Sequence, residues 1–167
     1  MQTIYLMTTG GTIEKVYSEQ SGAVLNAASK IGQYLKRLRL PDCDVRVLPL
    51  MNKDSLEMTP EDRAGLVAEL APLLSHGDPI VITHGTDTMV ETGLYLKQAL
   101  PNLSVPVILT GAMSPLGFES SDGLQNLTES LLAARLLAPG VFVVIHSQVF
   151  PIDRVRKSKE LGTFVAT

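Results

Sequence analysis

Five short apolar runs separated by amphipathic stretches constrain the fold of this chain more than any other feature. The runs are rich in β-branched residues, and all but the second are almost continuously apolar, which is typical of strands covered on both faces. They occupy residues 4–7, 45–50, 79–83, 105–110 and 141–146. A repeated alternation of strand and helix predicts right-handed crossovers and therefore a mainly parallel sheet.

The amphipathic stretches have the apolar spacing of helices, with one face that can pack on the sheet. The predicted fold is an α/β doubly wound, mainly parallel sheet with helices on both faces, a three-layer sandwich of the flavodoxin or Rossmann type. The apolar faces consist of Ile31, Leu35 and Leu38; of Leu66, Leu70 and Leu73; of Met89, Gly93, Leu96 and Leu100; and of Leu124, Leu127 and Leu131.

Capping residues predict where two of the helices begin. Residues 59–62 read TPED, which offers an N-cap threonine, a proline at the first helical position and acids in the first turn. Thr86 followed by Asp87 fits a second N-cap, and Thr88 with Glu91 has capping-box spacing. No internal repeat or linker is recognisable, so residues 1–167 are predicted to form a single domain.

Charge and cysteine content disfavour several classes of protein. The net charge of −3 and the pI near 5.6 argue against a nucleic-acid partner. Cys43 is the only cysteine and stands between two aspartates, so neither a disulfide framework nor a catalytic thiolate is expected. The first apolar run lacks the basic segment of a signal peptide, and no run approaches the ~18 apolar residues of a membrane span. We therefore expect a cytoplasmic protein with no membrane partner.

Polar loops at the ends of four predicted strands point to a ligand site. Ligands of parallel sheets bind outside the carboxyl ends of the strands, and core packing does not require so many hydroxyls there. We expect a small-molecule site built from hydroxyls and one or two acids. The loops span residues 8–12, 51–58, 83–88 and 110–115, and their hydroxyl residues are Thr8, Thr9, Thr12, Ser55, Thr83, Thr86, Thr88, Thr110 and Ser114.

Two nearby features favour structural interpretations. His84 ends a strand beside Gly85, where a neutral imidazole bonded to the backbone is expected rather than a catalytic base. The charged segment DRVRKSKE, residues 153–160, is typical of a solvated surface.

Several common site types lack their motifs. The three histidines are scattered, and no ligand-spaced cluster suggests a metal. Neither a Walker lysine motif, a G-x-G-x-x-G after the first strand nor a G-x-S-x-G elbow is present. Residues 9–12 resemble part of a flavodoxin-type phosphate loop, but aromatic residues to sandwich a flavin are missing from residues 83–88 and 110–115. No metal and no cofactor is expected.

Together the loops resemble a known family, the bacterial-type L-asparaginases, which are threonine-dependent amidohydrolases. TTGGTI at residues 8–13 and THGTDTM at residues 83–89 look like the two signatures of that family, and their co-occurrence is much more specific than either alone. Further similar segments cover almost the whole chain, namely DSLEMTPED (54–62), LTGAMSP (109–115), SSDGLQNL (120–127) and VRKSKELGTF (155–164). The family's usual chain is about twice as long, with a second α/β domain, so this sequence resembles a short form with the N-terminal domain only.

The resemblance implies catalytic roles for five residues. Thr12 matches the nucleophile, and Tyr17 falls in a polar stretch similar to the family's mobile lid. Thr86 matches a second threonine that is held with an aspartate and a lysine, here Asp87 and Lys157. Such a lysine can act as a base or polarise a water molecule. Main-chain N–H groups near the glycine-rich loop and near Thr86 are candidate oxyanion donors.

The resemblance also implies how substrate is bound. Asp87 matches the carboxylate that binds the α-ammonium of asparagine, and Ser55 matches the hydroxyl that binds its α-carboxylate. The remaining substrate-binding positions implied are Gly11, Thr86 and Ala112. Leu56 stands where the long periplasmic-type enzymes have a substrate-contacting glutamine. Lys15, inside the first signature region, has no explanation from the sequence.

The implied reaction is hydrolysis of L-asparagine to L-aspartate and ammonia. Two alternatives stay open: an amidase with another substrate, such as glutamine in a tRNA amidotransferase, and a non-catalytic amino-acid-binding domain. In the long enzymes, the second domain of a neighbouring protomer supplies an acidic residue to the site. We therefore expect a homo-oligomer, a dimer or tetramer.

Overall fold

The computed structural model describes residues 1–167 and contains a six-stranded sheet with helices on both faces. The sheet consists of β1 (Gln2–Gly10), β4 (Cys43–Lys53), β5 (Ile80–Thr83), β6 (Pro106–Thr110), β7 (Gly140–Ile145) and β8 (Gln148–Pro151) in the order β4-β1-β5-β6-β7-β8. All neighbouring strands are parallel except β7 and β8, which form an antiparallel pair. The predicted doubly wound α/β fold is confirmed.

Four helices cover the two faces of the sheet. They are α1 (Ile31–Leu35), α2 (Pro60–Leu74), α3 (Met89–Ala99) and α4 (Gly123–Leu136). One core cluster packs α2 and α3 on the sheet through residues such as Leu66 and Leu96, and the other packs α1 and α4 through Ile31 and Leu127. None of these helices is both long enough and apolar enough to cross a membrane.

The strand β4 is longer than predicted because it lies at an edge of the sheet. Most of its residues are half-buried, and it accommodates Pro49, a residue that edge strands tolerate because they need no donor on their free side. Three further residues, 51–53, extend the pairing with β1 up to Gly10 and Lys53. Part of the predicted loop 51–58 is therefore strand.

Helix capping is as predicted for α2 and different for α3. Thr59 Oγ1 accepts the Asp62 N–H at 3.2 Å, and the Asp62 carboxylate accepts the Thr59 N–H at 2.9 Å. The predicted cap at Thr86 is wrong, whereas Thr88 does occupy the N-cap position of α3 but forms no capping box with Glu91. Helix α3 begins at Met89 without a side-chain cap, because the Thr88 hydroxyl donates to the Ser55 carbonyl instead, at 2.9 Å.

Two antiparallel hairpins that the sequence did not predict lie outside the main sheet. The first consists of β2 (Lys15–Ser18) and β3 (Ala23–Asn26), and the second of β9 (Val155–Ser158) and β10 (Thr163–Ala166). Each follows a three-residue 3-10 helix, Thr12–Glu14 in one case and Ile152–Arg154 in the other. The two segments thus share the same order of local elements.

Candidate active site

The order of the sheet strands fixes where a ligand site is expected. Strand β1 has β4 on one side and β5 on the other, so the direction in which the chain adds strands reverses at this point. In doubly wound sheets ligands bind at such a switch point, outside the carboxyl ends of the strands. Thr12 follows β1 and Thr86 follows β5, so both signature loops lie there.

Glycines allow the loops at this switch point to touch. Gly11 has a φ of +79°, and a Cβ on it would overlap the backbone of Gly85. A Cβ on Gly85 would in turn lie 2.5 Å from the Cβ of Ser55. Both contacts need residues without a side chain. They bring the loops that carry Thr12, Ser55 and Thr86 into direct contact.

The β9–β10 hairpin contributes Lys157 to the loop after β5. Lys157 Nζ donates hydrogen bonds to Thr86 Oγ1 at 2.7 Å and to Asp87 Oδ1 at 2.8 Å. The lysine side chain is 19 % exposed and Thr86 is buried. Although the segment 153–160 is partly solvated, the structural interpretation of that segment as mere surface is wrong for Lys157.

A second ion pair explains Lys15. Its Nζ donates to Asp54 Oδ2 at 2.8 Å, while Asp54 Oδ1 accepts the Leu56 N–H at 3.0 Å. The hydrogen bond from Lys15, followed by that from Leu56, holds the pKa of Asp54 below its usual value. Lys15 therefore ties the β2–β3 hairpin to the loop that carries Ser55.

The other residues implied by the resemblance differ in exposure. Thr12 is half-buried at the start of its 3-10 helix, and the Tyr17 side chain on β2 is 57 % exposed. Ser55 and Ala112 are 2 % and 1 % exposed, so they offer little surface to a ligand in this conformation. Gly11 is likewise buried.

A cavity of about 400 Å³ lies beside the Lys157 and Asp87 pair. Its lining consists of Leu56, Asp87, Val90, Arg156, Lys157 and Lys159. Thr12 does not line this cavity, so the structure brings together the second threonine, the aspartate and the lysine more closely than it brings the first threonine to them.

Several strand-end hydroxyls are structural, which corrects the expectation that they mark a ligand site. Thr9 Oγ1 donates to the Thr83 carbonyl at 2.7 Å, and Thr110 Oγ1 donates to the Val144 carbonyl at 2.8 Å. Thr83 Oγ1 donates to the buried Glu14 carboxylate at 3.3 Å. These hydroxyls connect neighbouring strands and loops instead of facing a ligand.

The glycine N–H groups of the first signature are also occupied. Gly10 N–H donates to Glu14 Oε2 at 2.7 Å and Gly11 N–H donates to the Lys53 carbonyl at 2.8 Å. Neither is free to act as the expected oxyanion donor. Glu14, only 3 % exposed, was missed by sequence reasoning, although its position next to the signature was a usable signal.

The structural interpretation of His84 is confirmed. The side chain is completely buried, and Nδ1 lies 2.7 Å from the Gly85 carbonyl oxygen. Burial lowers the pKa of His84 to about 4, so the imidazole is neutral at pH 7. Among the described residues, no group of three or more His, Cys, Asp or Glu side chains is placed to hold a metal ion.

Comparison with a family model decides the classification. Residues 3–165 match the model described as asparaginase, N-terminal. The chain belongs to the asparaginase family. This confirms the family inferred from the two threonine signatures.

Curated relatives agree with the family and differ in reaction. The chain is 38 % identical to L-asparaginase 1 of Escherichia coli K12 over 168 residues, which cover 96 % of this chain and 49 % of the relative. It is 32 % identical to the L-asparaginase of Thermococcus kodakarensis over 159 residues, which cover 95 % of this chain and 48 % of the relative. One component of the glutamyl-tRNA(Gln) amidotransferase from Pyrococcus abyssi is 33 % identical over 87 % of this chain and 34 % of its own.

Solved structures show the same fold. The thermostable L-asparaginase from Thermococcus kodakarensis superposes with a TM-score of 0.85 at 29 % identity, over 99 % of this chain and 51 % of that one. A probable cytoplasmic L-asparaginase from Campylobacter jejuni superposes with a TM-score of 0.79 at 30 % identity, over 99 % of this chain and 52 % of that one. The chain thus spans about half the length of the asparaginases it matches.

Proposed function

We propose that this chain hydrolyses the side-chain amide of L-asparagine to L-aspartate and ammonia through an acyl-enzyme on Thr12. The observation that carries the proposal is the hydrogen-bonded set of Thr86, Lys157 and Asp87 beside the loop that presents Thr12. Membership of the asparaginase family supports an asparagine-type substrate.

The reaction proceeds in two steps. Thr12 Oγ1 attacks the side-chain carbonyl carbon, the C–N bond breaks, and the hydroxyl proton leaves with the amine as ammonia. Water then attacks the resulting ester, which releases aspartate and returns a proton to Thr12. An alcohol is a weak nucleophile at neutral pH, so both steps need a nearby proton acceptor.

Lys157 and Thr86 provide the proton transfer. Lys157 Nζ and Thr86 Oγ1 lie 2.7 Å apart, so Thr86 can accept the proton that Thr12 or the attacking water releases and pass its own proton to the amine form of Lys157. General acid–base assistance of this kind contributes roughly 10²–10⁴-fold. Tyr17, on the exposed β2–β3 hairpin, closes over the bound substrate as a catalytic lid residue.

Substrate recognition uses charge pairing at the same loops. Asp87, which is exposed and paired with Lys157, binds the α-ammonium. Ser55 binds the α-carboxylate, and Gly11, Thr86 and Ala112 complete the contacts. The exposed Leu56 side chain cannot donate a hydrogen bond, so we expect this chain to hold free amino acids less tightly than an enzyme with glutamine there.

Two alternatives remain to be separated by experiment. The amidotransferase relatives favour an amidase that uses another amide, such as glutamine, and the half-length match leaves room for a domain that binds an amino acid without hydrolysis. Ammonia release with asparagine, with glutamine and without substrate separates all three.

Substitution of the nucleophile tests the assignment directly. Thr12→Ala should abolish ammonia release from asparagine with an unchanged circular dichroism spectrum. Thr128→Ala is the matched control, because its hydroxyl lies on the exposed face of α4 and bonds only the Leu124 carbonyl of its own helix. Wild-type turnover by Thr12→Ala would refute the role of Thr12.

We further propose that residues 1–167 form one catalytic domain that works without a metal or cofactor. Assembly into a dimer or tetramer is the proposed way to complete the site, and light scattering measures it. A cytoplasmic location is proposed from the description of the Campylobacter jejuni relative, and cell fractionation checks it.

A further inference from the structure

The turn between β7 and β8 contains a histidine in an unusual backbone conformation. His146 and Ser147 have φ values of 50° and 60°, as in the two-residue hairpin turns that normally use Asn-Gly. Non-glycine residues adopt such values at a cost, and they persist where surrounding contacts hold them. The contacts that hold His146 in this conformation therefore need an explanation.

The His146 side chain joins elements that are distant in sequence. Its Nδ1 lies 2.7 Å from Thr163 Oγ1 on β10, and its Nε2 lies 2.7 Å from Asp122 Oδ2 next to α4. The His146 N–H donates to Asn126 Oδ1 at 3.0 Å, which holds the backbone of the turn. The imidazole thus bridges a helix start and the second hairpin.

Asp122 is a fixed anchor for this bridge. It accepts the N–H groups of Met113 and Ser114 at 3.0 Å and the Asn126 side-chain amide at 2.9 Å. Burial raises the pKa of Asp122, but these N–H donors and His146 outweigh burial and keep the pKa below its usual value. An ionised carboxylate only accepts, so Nε2 carries the proton and, in the neutral ring, Nδ1 accepts from the Thr163 hydroxyl.

Thr163 lies next to the residue that pairs with Lys157. In the hairpin Thr163 pairs with Ser158, and Phe164 pairs with Lys157. An isolated two-stranded hairpin is marginally stable, so its placement depends on contacts with the rest of the protein. The hydrogen bond between Thr163 and His146 is one such contact, and it acts on the strand that flanks Lys157.

We propose that His146 is a positioning residue, held by Asp122, which sets the β9–β10 hairpin through Thr163 so that Lys157 meets Thr86 and Asp87. The catalytic part of this inference rests on the proposed function, because it assigns Lys157 a role in amide hydrolysis. A displacement of about 1 Å at a reacting group can cost about 10²-fold in rate. The bridge from Asp122 to Thr163 opposes such a displacement.

The direct test measures the environment of Lys157 in His146→Asn. Asparagine tolerates positive φ, so the turn is retained, but its side chain is too short to reach both Asp122 and Thr163. Ser147→Asn is the matched control, because Ser147 has the same backbone conformation and bonds Glu129 instead. The probe is limited acetylation with acetic anhydride, with Lys157 quantified against Lys159 by mass spectrometry.

We expect acetylation of Lys157 relative to Lys159 to rise about tenfold in His146→Asn and to stay unchanged in Ser147→Asn. Thr163→Val, which replaces the hydroxyl with a methyl group of similar size, should behave like His146→Asn, and Thr163→Ser, which keeps the hydroxyl, should behave like the wild type. This second pair keeps the test valid if the histidine variant does not fold. Unchanged Lys157 labelling in folded His146→Asn or Thr163→Val would overturn the inference.

Kinetics test the catalytic consequence separately. For asparagine hydrolysis, His146→Asn and Thr163→Val should lower kcat about tenfold with KM unchanged, and Thr163→Ser should keep the wild-type kcat. If the wild type releases no ammonia from asparagine, the proposed function fails while the labelling result still decides the positioning. A change in KM alone would contradict the positioning of a proton-transfer group.

Discussion

The β2–β3 and β9–β10 hairpins have the same order of local elements but differ in how deeply they are buried. Residues 12–26 and residues 152–166 each run through a three-residue 3-10 helix, a four-residue strand ending in serine, a four-residue loop ending in glycine and a second four-residue strand. Tyr17 and Lys157 occupy the same third position of the first strand. Local geometry alone therefore does not distinguish the two.

The difference lies in what each hairpin buries. In β9–β10, Phe164 is fully buried and Val155 is 5 % exposed, both within a core cluster. In β2–β3, Val24 and Leu25 are 40 % and 46 % exposed. The side-chain hydrogen bonds that hold β2–β3 are those of Lys15 with Asp54 and of Asn26 with Asn52.

This contrast suits two different tasks. A base must keep its position relative to the reacting atoms, and the proposed base, Lys157, stands on a hairpin that the core anchors. A lid must open and close, and the proposed lid residue, Tyr17, stands on a hairpin held by polar contacts that water can replace. In this proposal, anchorage rather than strand geometry separates the fixed group from the moving one.

The largest effect is expected from removing the anchor of the second hairpin. Phe164→Ala should lower the free energy of unfolding by about 3–5 kcal/mol, because the ring leaves a cavity in a fully buried position. Urea denaturation followed by circular dichroism measures this change.

Leu25→Ala is the matched substitution on the first hairpin. Its side chain is nearly half exposed, so the expected loss is within about 0.5 kcal/mol. Equal losses in the two variants would remove the basis of the comparison.

A smaller difference is expected in local opening. Amides of β2–β3 should exchange with deuterium at least about tenfold faster than those of β9–β10, since few buried apolar contacts oppose their opening. Saturating L-aspartate, the proposed product, should slow exchange in β2–β3 and leave β9–β10 unchanged. Faster exchange in β9–β10 would reverse the assignment of lid and fixed hairpin.

The smallest effect is expected from the ion pair of the first hairpin. Lys15→Met should cost about 0.5 kcal/mol at pH 7, because the pair is partly exposed. The pKa of Asp54 is lowered in the folded protein, so this stabilisation is present above the ordinary carboxyl pKa and is lost as the pH falls through the lowered value.

Thermal unfolding at pH 7 and in acid checks the sign. The difference between wild type and Lys15→Met should vanish in acid and shrink in high salt, since salt screens exposed charges. Lys36→Met, which removes an exposed charge outside any ion pair, should have no such pH dependence. A difference that grows in acid would contradict the role of Asp54.

The main sheet could be predicted from sequence because its signal is local. Continuous apolar runs such as residues 79–83 and 105–110 are buried on both faces of the sheet, and an uninterrupted apolar run itself predicts such a strand. The hairpins could not be predicted, because their four-residue strands mix apolar with polar or charged residues, unlike the equally short β5, which lies in an apolar run. Phe164 lies shortly after the charged segment 153–160, which is typical of surface, and its burial was not predicted.

The candidate site was only partly accessible to sequence reasoning. The signatures located Thr12 and Thr86, and the sheet order then explained why their loops meet. The roles of Thr9, Thr83 and Thr110 depend on cross-strand contacts, which no single segment encodes. The Asp122, His146 and Thr163 bridge joins residues far apart in the chain, so only the folded structure reveals it.

The acyl-enzyme itself is the most direct test of the whole account. Wild-type protein mixed with L-asparagine and quenched with acid in the first turnovers should carry an aspartyl group on the peptide that contains Thr12, and mass spectrometry locates it. The account predicts this adduct on Thr12 and its absence in Thr12→Ala. Two results would contradict the account. One is an aspartyl adduct on Thr86. The other is ammonia release from asparagine by the wild type with no aspartyl group on Thr12, even under conditions that slow deacylation.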